Sequence, residues 1–170
     1  MVAQGNGAGA VQAMTQGDLG GWLLSLASSF AASGDAGSAE YYLRLSEKVF
    51  NSFAVRHANG GVRNNKRSNR CWNNQYCYWF HSFLVGDPPE PQTVLNQHLH
   101  AIRDALDAHA ALAAWRDDTV EGVPLPAGFT QHIRNLRDYA RGGLNQLAYG
   151  QGNENLPDAP PNLEEFLQNS

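Results

Sequence analysis

The sequence has few cysteines and no long apolar run. Cys71 and Cys77 are the only two cysteines among 170 residues, too few for a disulfide framework. They pair only if the chain turns back between them, and together with His81 they lack the short spacing of a zinc site. No stretch is apolar and long enough to span a bilayer, and residues 1–10 lack the basic and apolar regions of a signal peptide. The sequence therefore predicts a globular domain held by its own core.

The sequence also has little charge, and that charge is unevenly placed. Charged residues make up 16% of the chain and the net charge is −4, which does not predict nucleic-acid binding by the whole molecule. Four of the twelve basic residues fall within residues 63–70, whereas the chain after Tyr149 has acidic residues and no basic one. Hydrophobic residues make up 42% of the chain, enough for one core in a domain of this length.

Apolar residues at spacings of three and four predict four helices. The first begins near residue 11 and ends at a Ser-Gly-Asp turn at residues 33–35, and the second spans about 37–55. The third spans about 94–115 and the fourth about 129–148. We expect a flexible lead-in at 1–10, a single helical domain at 11–148 and a Pro/Asn-rich tail at 149–170. The predicted fold class is mainly all-α, with two antiparallel helical hairpins.

Each predicted helix has one stripe of apolar residues that we expect to face the core. The stripes are Leu19, Trp22, Leu23, Leu26, Ala27 and Phe30 in the first helix, and Ala39, Tyr42, Leu43, Val49, Phe50 and Phe53 in the second. They are Leu95, Leu99, Ile102, Leu106, Ala110 and Ala113 in the third helix, and Phe129, Ile133, Leu136, Ala140, Leu144 and Leu147 in the fourth. Glycine lowers helix propensity by about 1 kcal/mol, so we expect close packing at the glycine pairs 20–21 and 142–143.

The segment between the two hairpins has an unusual composition. Residues 72–81 contain two Trp, two Tyr, one Phe, one Cys and one His and no aliphatic residue, directly after the basic residues at 63–70. This composition is too polar for a buried strand and too aromatic for an ordinary loop. We expect a long loop or a short β-hairpin at residues 60–82, and a connection of this length in a compact domain usually has a function.

Short motifs in a fixed order carry a resemblance to a known family. Residues 14–17 read Met-Thr-Gln-Gly, residues 33–35 Ser-Gly-Asp and residues 60–62 Gly-Gly-Val. Residues 72–76 read Trp-Asn-Asn-Gln-Tyr, residues 94–97 read Val-Leu-Asn-Gln, and Asp138-Tyr139 precedes Gln146-Leu147. This order resembles the C-terminal α/α domain of D-glucuronyl C5-epimerases, in a reduced and divergent form. The paired acids of that family's aromatic loop are replaced by Asn73, Asn74 and Gln75.

The resemblance implies an incomplete α/α toroid that epimerises a uronic acid at C5. Such a reaction removes a proton beside a carboxylate and returns one from the opposite face, which needs a base, an acid and positive charge on the carboxylate. Tyr76 and Tyr139 match the family's tyrosine positions, and Tyr78 and His81 are additional acid–base candidates. The candidates for substrate binding are Arg63, Arg67, Arg70, Trp72, Asn74, Gln75 and Trp79.

Three functions are open at this point. A glycan-acting enzyme, either an epimerase (an isomerase) or a related lyase, would act on an acidic polysaccharide or oligosaccharide without a cofactor or metal. A non-catalytic module would use the same aromatic and basic segment to bind a glycan or a protein. A structural subunit would use apolar faces that four helices leave exposed, so we expect a homo-oligomer or a neighbouring domain. The resemblance also implies a secretory or extracellular location.

Overall fold

Four helices make up most of the described part of the chain. The computed structural model describes residues 13–56, 61–64, 79–80, 83–85, 90–92, 95–117 and 122–149. Helix α1 is Ala13–Ala32, α2 is Ala36–Phe50, α3 is Leu95–Asp117 and α4 is Phe129–Tyr149, and a 3₁₀ turn at Asn51–Ala54 continues α2. The predicted all-α class is confirmed, and α1 packs along α2 as α3 packs along α4. The predicted lead-in, and the predicted tail after Tyr149, lie outside these ranges.

A short turn at residues 33–35 joins α1 to α2. Gly34 has a φ of 81°, a left-handed conformation that favours glycine. The Gly34 N–H donates to the carbonyl of Ala31 at 2.9 Å. The Asp35 carboxylate accepts from the Ser38 N–H at 3.0 Å and so caps the first turn of α2. The predicted Ser-Gly-Asp turn is confirmed.

Helices α1 and α2 approach each other closely at one glycine. A Cβ added to Gly20 would overlap the ring of Phe50, and the Ser46 hydroxyl donates to the Gly20 carbonyl at 2.8 Å. By contrast, nothing in the described part of the chain lies within 4 Å of the place where a Cβ of Gly21 would be. The expected close packing at residues 20–21 is therefore right for Gly20 and wrong for Gly21.

The buried face of α1 differs from its predicted stripe. Leu19, Trp22 and Leu26 are exposed, and the exposed fraction of Trp22 is 72%. The buried face consists mainly of small residues, namely Ala13, Gly17, Gly20, Leu24, Ala27 and Ala31. Small side chains let neighbouring helices pack at a short distance, so this face is buried although the face opposite carries the larger apolar side chains.

The buried face of α3 also differs from its predicted stripe. Leu95, Leu99 and Leu106, three of the predicted core residues, are exposed. The buried residues of α3 are His98, Ala101, Ile102, Asp104, Ala105, Ala108, Leu112 and Trp115. Only Ile102 belongs to both sets, so the predicted orientation of α3 is wrong, and a histidine and an aspartate lie inside the fold.

The stripes of α2 and α4 are confirmed. Ala39, Leu43, Phe50 and Phe53 are buried in α2 and its 3₁₀ turn, and Phe129, Ile133, Leu136 and Ala140 are buried in α4. The other predicted members, Tyr42, Val49, Leu144 and Leu147, are half-buried. A Cβ added to Gly143 would lie 2.7 Å from Ile102 Cγ1, so the glycine lets α4 pack closely on α3.

Two short strand pairs lie between the helical hairpins. Strand β1 (Arg63–Asn64) pairs antiparallel with β2 (Trp79–Phe80), and β3 (Phe83–Val85) pairs antiparallel with β4 (Glu90–Gln92). The Arg63 N–H donates to the Val55 carbonyl at 3.1 Å, which ties β1 to the chain that follows the 3₁₀ turn. A Cβ added to Gly61 would overlap the backbone of Val55, so this close passage requires glycine. Residues 65–78, most of the segment predicted as loop or hairpin, lie outside the described residues.

In the described ranges, no helix is long and apolar enough to cross a membrane.

Candidate functional site

Tyr139, a predicted catalytic residue, lies in an aromatic cluster where α2, β2 and α4 meet. The centroid of its ring is 6.2 Å from that of Phe53, and the centroids of Phe53 and Phe80 are 4.7 Å apart. Phe53 and Phe80 are fully buried, whereas 8% of Tyr139 is exposed. These contacts fix the phenol ring at the edge of the core, in the aromatic cluster that includes Phe80 of β2.

Arg63, a predicted substrate-binding residue, acts electrostatically on Tyr139. Arg63 is half-buried, and its backbone is held by pairing with Phe80 and by the hydrogen bond to Val55. Burial raises the pKa of Tyr139 above its usual value of 10.0, the charge of Arg63 lowers it, and the charge of Asp138 raises it. Because the net shift is upwards, the phenol is protonated at neutral pH.

A protonated phenol can donate a hydrogen bond or a proton, but it is a poor base. In a proton-transfer reaction Tyr139 therefore suits the role of the acid. Once it has given up its proton, the guanidinium of Arg63 is the charge that stabilises the phenolate. We call this arrangement of Arg63 and Tyr139 the Arg–Tyr corner.

His98 forms a hydrogen-bonded bridge behind the Arg–Tyr corner. The Phe80 N–H donates to His98 Nδ1 at 3.1 Å, which leaves the ring proton on Nε2, and Nε2 donates to the Gly143 carbonyl at 3.1 Å. The ring is fully buried. Burial lowers its pKa to about 4, and the hydrogen bond to Gly143 opposes this shift. His98 is therefore neutral and positions β2 against α4.

The structure brings two of the predicted site residues together, Arg63 and Tyr139. Trp79 is described by its backbone, which pairs with Asn64 in the β1–β2 ladder. The other candidates lie outside the described residues and stay predictions: Tyr76, Tyr78 and His81 for catalysis, and Arg67, Arg70, Trp72, Asn74 and Gln75 for substrate binding.

A second concave surface, which the predicted stripes missed, lies between α1 and α3. We call it the α1–α3 groove; Gly17, Asp18, Trp22, Asp104 and Asp107 are among its lining residues, and its volume is about 300 Å³. A signal for it was present in the sequence, because small residues recur along α1 at spacings of three and four. Such a face packs closely and leaves the large side chains beside it at the rim.

Among the described residues, no three His, Cys, Asp or Glu side chains lie close enough together to hold a metal ion. No protein-family model, no curated protein and no solved structure matches this chain significantly. Its function is therefore inferred from the geometry of its own residues.

Proposed function

We propose that the protein is a carbohydrate-active protein that engages a uronic-acid-containing glycan at the Arg–Tyr corner. The observation that carries the proposal is the position of Arg63, which pairs with Phe80 in the aromatic cluster that holds Tyr139. The charge of Arg63 there lowers the pKa of the Tyr139 phenol, against the effect of burial. A guanidinium pairs strongly with a carboxylate, and a phenol donates to a sugar oxygen. The β1–β2 ladder also holds both ends of residues 65–78, which contain most of the other basic and aromatic candidates.

Under this proposal the reaction is proton abstraction and return at C5 of the uronate. Arg63 binds the carboxylate and stabilises the negative charge that develops on it when the C5 proton leaves. A base on one face takes that proton, and Tyr139 gives its own proton to C5 from the other face, which inverts the centre. The candidates for the base are Tyr76, Tyr78 and His81. In a related lyase the same base would take the C5 proton. The C4–O bond to the leaving sugar would then break, and no proton would return to C5.

The incomplete α/α toroid is part of this proposal. The hairpins α1–α2 and α3–α4 support it, since an α/α toroid is assembled from such pairs. Leu95 and Leu99, one turn apart on α3, are 54% and 44% exposed. Exposed apolar side chains grouped on one helix mark a contact surface, and they support the expected homo-oligomer or neighbouring domain.

A non-catalytic binding module is the second candidate, and the burial of Tyr139 favours it. Only 8% of this residue is exposed, and the same burial raises the pKa of its phenol. Both effects slow proton transfer to a bound sugar while leaving hydrogen bonding intact. In this candidate Arg63 and the basic and aromatic segment hold an acidic glycan, or a protein in its place, without chemistry.

Deuterium exchange tests the catalytic candidate. The protein would be incubated in D2O with a panel of glucuronate-containing polysaccharides, and deuterium at C5 would be measured by NMR. We expect incorporation that falls at least about 100-fold in Tyr139→Phe, because the variant has no phenolic proton to give. Tyr41→Phe is the matched control, since Tyr41 is a 60% exposed tyrosine on α2 and should retain full exchange. Tyr76→Phe tests the predicted base in the same assay.

Binding measured on the same panel separates the two candidates. Arg63→Gln should weaken binding at least about tenfold under both, because a charged hydrogen bond to the carboxylate is lost. Binding by the wild type without exchange would support the module and rule out the epimerase on those substrates. Exchange that persists in Tyr139→Phe would remove Tyr139 from the mechanism. A panel that is neither bound nor exchanged would contradict the epimerase and the glycan-binding form of the module, and would leave a protein as the module's ligand.

A further inference from the structure

The imidazole of His98 holds the outer edge of β2. Strands β1 and β2 have two residues each, and a two-stranded pair is at best marginally stable by itself. Arg63 lies opposite Phe80 in this pair. The Arg63 N–H donates to the Val55 carbonyl, and the Phe80 N–H donates to His98 Nδ1. Both N–H groups therefore point away from the ladder, and each strand is tied to the fold at its outer edge.

This pairing decides where the side chain of Arg63 lies. Opposite residues whose N–H groups both point outwards form a non-hydrogen-bonded pair, in which the side chains are closest and lie on the same face. The Arg63 side chain is therefore on the face that carries the Phe80 ring. That ring packs on Phe53, and Phe53 contacts Tyr139. The place of Arg63 beside Tyr139 thus depends on β2 staying where His98 holds it.

A proton on His98 would break the hydrogen-bonded bridge on one side only. An imidazolium ring has an N–H at both nitrogens. Nε2 would still donate to the Gly143 carbonyl in α4. Nδ1, by contrast, would face the Phe80 N–H as a second donor. The link from α3 to α4 survives and the link from α3 to β2 is lost, so the release is local to β2.

The ionisable groups around the bridge do not favour the imidazolium. They are Arg63 on β1, His100 and Arg103 on α3, and Arg137, Asp138, Tyr139 and Arg141 on α4. Asp138 is the acid on α4 in this set, and it pairs with Arg137 at 3.5 Å. Burial lowers the pKa of His98 to about 4, against the Gly143 hydrogen bond. A released ring that meets water regains a pKa near 6.5, so the closed form is favoured above pH 6.5 and loses this advantage as the pH falls towards 4.

We propose that His98 makes the Arg–Tyr corner acid-sensitive: a proton on Nδ1 releases β2 from α3, and Arg63 then leaves its place beside Tyr139. The helices stay folded when this happens. His98 acts through the backbone of Phe80, so it is a positioning residue. The inference rests on the proposed function where it concerns glycan binding, whereas the release of β2 follows from the hydrogen bonds alone.

Amide hydrogen exchange followed by NMR tests the release of β2 without any ligand. The protection factor of the Phe80 amide should fall about tenfold per pH unit between pH 6.5 and pH 4.5, because the released form binds one more proton. Leu43, fully buried in α2, should be at least about tenfold more protected than Phe80 throughout, since a local opening needs less free energy than global unfolding. The ring 15N signals of His98 should show the proton on Nε2 at pH 7 and report the titration.

Two variants of His98 separate the two sides of the bridge. The side-chain oxygen of asparagine is as many bonds from Cβ as Nδ1 is, so His98→Asn keeps an acceptor for Phe80 and has no titrating ring. The fall of Phe80 protection with pH should therefore disappear. The amide of glutamine reaches as far as Nε2, towards Gly143, so His98→Gln should lower Phe80 protection at least about tenfold already at pH 7. His109→Asn, at a half-buried histidine of α3, is the control and should keep the pH dependence of the wild type.

Glycan binding at two pH values connects the release of β2 to the corner. At pH 4 about half of the molecules carry a proton on His98. Between pH 7 and pH 4 the wild type should therefore lose at least about twofold more affinity for the glucuronate panel than His98→Asn does. The comparison with this variant cancels the titration of the glycan carboxylates, because they are the same in both measurements.

Three results would overturn the inference. One is equal protection of Phe80 and Leu43, which would show that β2 opens only when the whole domain unfolds. Another is Phe80 protection in the wild type that does not fall with pH, which needs no variant to fold. The third is an unchanged pH dependence in a folded His98→Asn. A panel that is not bound at pH 7 would contradict glycan binding at the corner, while the exchange data decide the release of β2 on their own.

Discussion

The imidazole of His98 joins two segments that are far apart in the sequence. It accepts from the Phe80 N–H in β2 and donates to the Gly143 carbonyl in α4. Protonation would place a second N–H on the ring and remove the acceptor that Phe80 uses. The charged form is therefore incompatible with the bridge, which agrees with a pKa lowered by burial to about 4.

We predict that the free energy of unfolding falls as the pH drops below 6.5. In the unfolded chain His98 takes up a proton near its usual pKa of 6.5, whereas in the folded protein it stays neutral down to about 4. Since the unfolded state binds more protons between these values, about 3 kcal/mol of stability is lost across the range, at roughly 1.4 kcal/mol per pH unit. Burial lowers the pKa of His132 too, which acts in the same direction. Urea unfolding at pH 7 and pH 4.5 measures the effect.

His98→Gln is the variant that assigns this pH dependence. It should be less stable than the wild type at pH 7, because Gln cannot reproduce both hydrogen bonds with the same geometry. Between pH 7 and pH 4.5 it should lose about 2 kcal/mol less than the wild type, because the titrating group is gone. An equal loss in both proteins would show that another group is responsible.

At the scale of the helices, the size of the buried side chains decided which faces could be predicted. Helices α2 and α4 bury phenylalanine, leucine and isoleucine, so the apolar period and the buried face coincide. Helix α1 buries mostly glycine and alanine, and α3 buries three alanines beside polar His98 and Asp104. Both helices expose leucines, such as Leu19 and Leu99. A hydrophobic period cannot identify the core face when the smaller side chains are the ones in contact, because contact distance is a property of two helices together.

The neighbouring glycines of α1 allow a matched test of this packing. Gly20→Ala should destabilise the protein by roughly 1–3 kcal/mol, because the added methyl group would overlap the Phe50 ring. Gly21→Ala should be neutral or stabilising by up to about 1 kcal/mol, because its Cβ enters open space and alanine favours the helix. Thermal unfolding of the two variants against the wild type measures both. Equal effects would contradict the close approach of α1 and α2 at Gly20.

At the scale of the whole molecule, the core lies where the two hairpins and β2 meet. Phe53 packs there against Phe50, Phe80 and Tyr139. Phe53→Ala should lower the free energy of unfolding by about 3–5 kcal/mol, because it leaves a cavity among fully buried rings. Trp22→Ala removes a larger side chain, yet it should change stability by less than about 1 kcal/mol, because 72% of Trp22 is exposed. Urea unfolding measures both variants. A larger loss of unfolding free energy in Trp22→Ala than in Phe53→Ala would contradict this position of the core.

The sequence predicted the helical class, the four helices and the turn at 33–35, and the roles of Tyr139 and Arg63 stay predictions. It did not predict that His98 and Asp104 are buried, since the burial of a polar side chain depends on partners from distant segments. The partners of His98 are Phe80 and Gly143, and the partner of Asp104 across the groove is Gly17. Local periodicity contains no information about such pairs. Tyr139 was a candidate through a matching motif and Arg63 through the basic residues at 63–70. The small residues of α1 indicated close packing, but their spacing did not identify α3 as the helix that forms the groove with α1.

The contact between Gly17 and Asp104 places one constraint on two positions. Any side chain at position 17 would overlap the Asp104 carboxylate, so alanine there requires a shorter side chain at position 104. A change at position 17 therefore depends on position 104, whereas position 104 can take a smaller side chain while Gly17 stays. The history of these two positions therefore has a direction, in which a smaller residue at position 104 precedes any side chain at position 17.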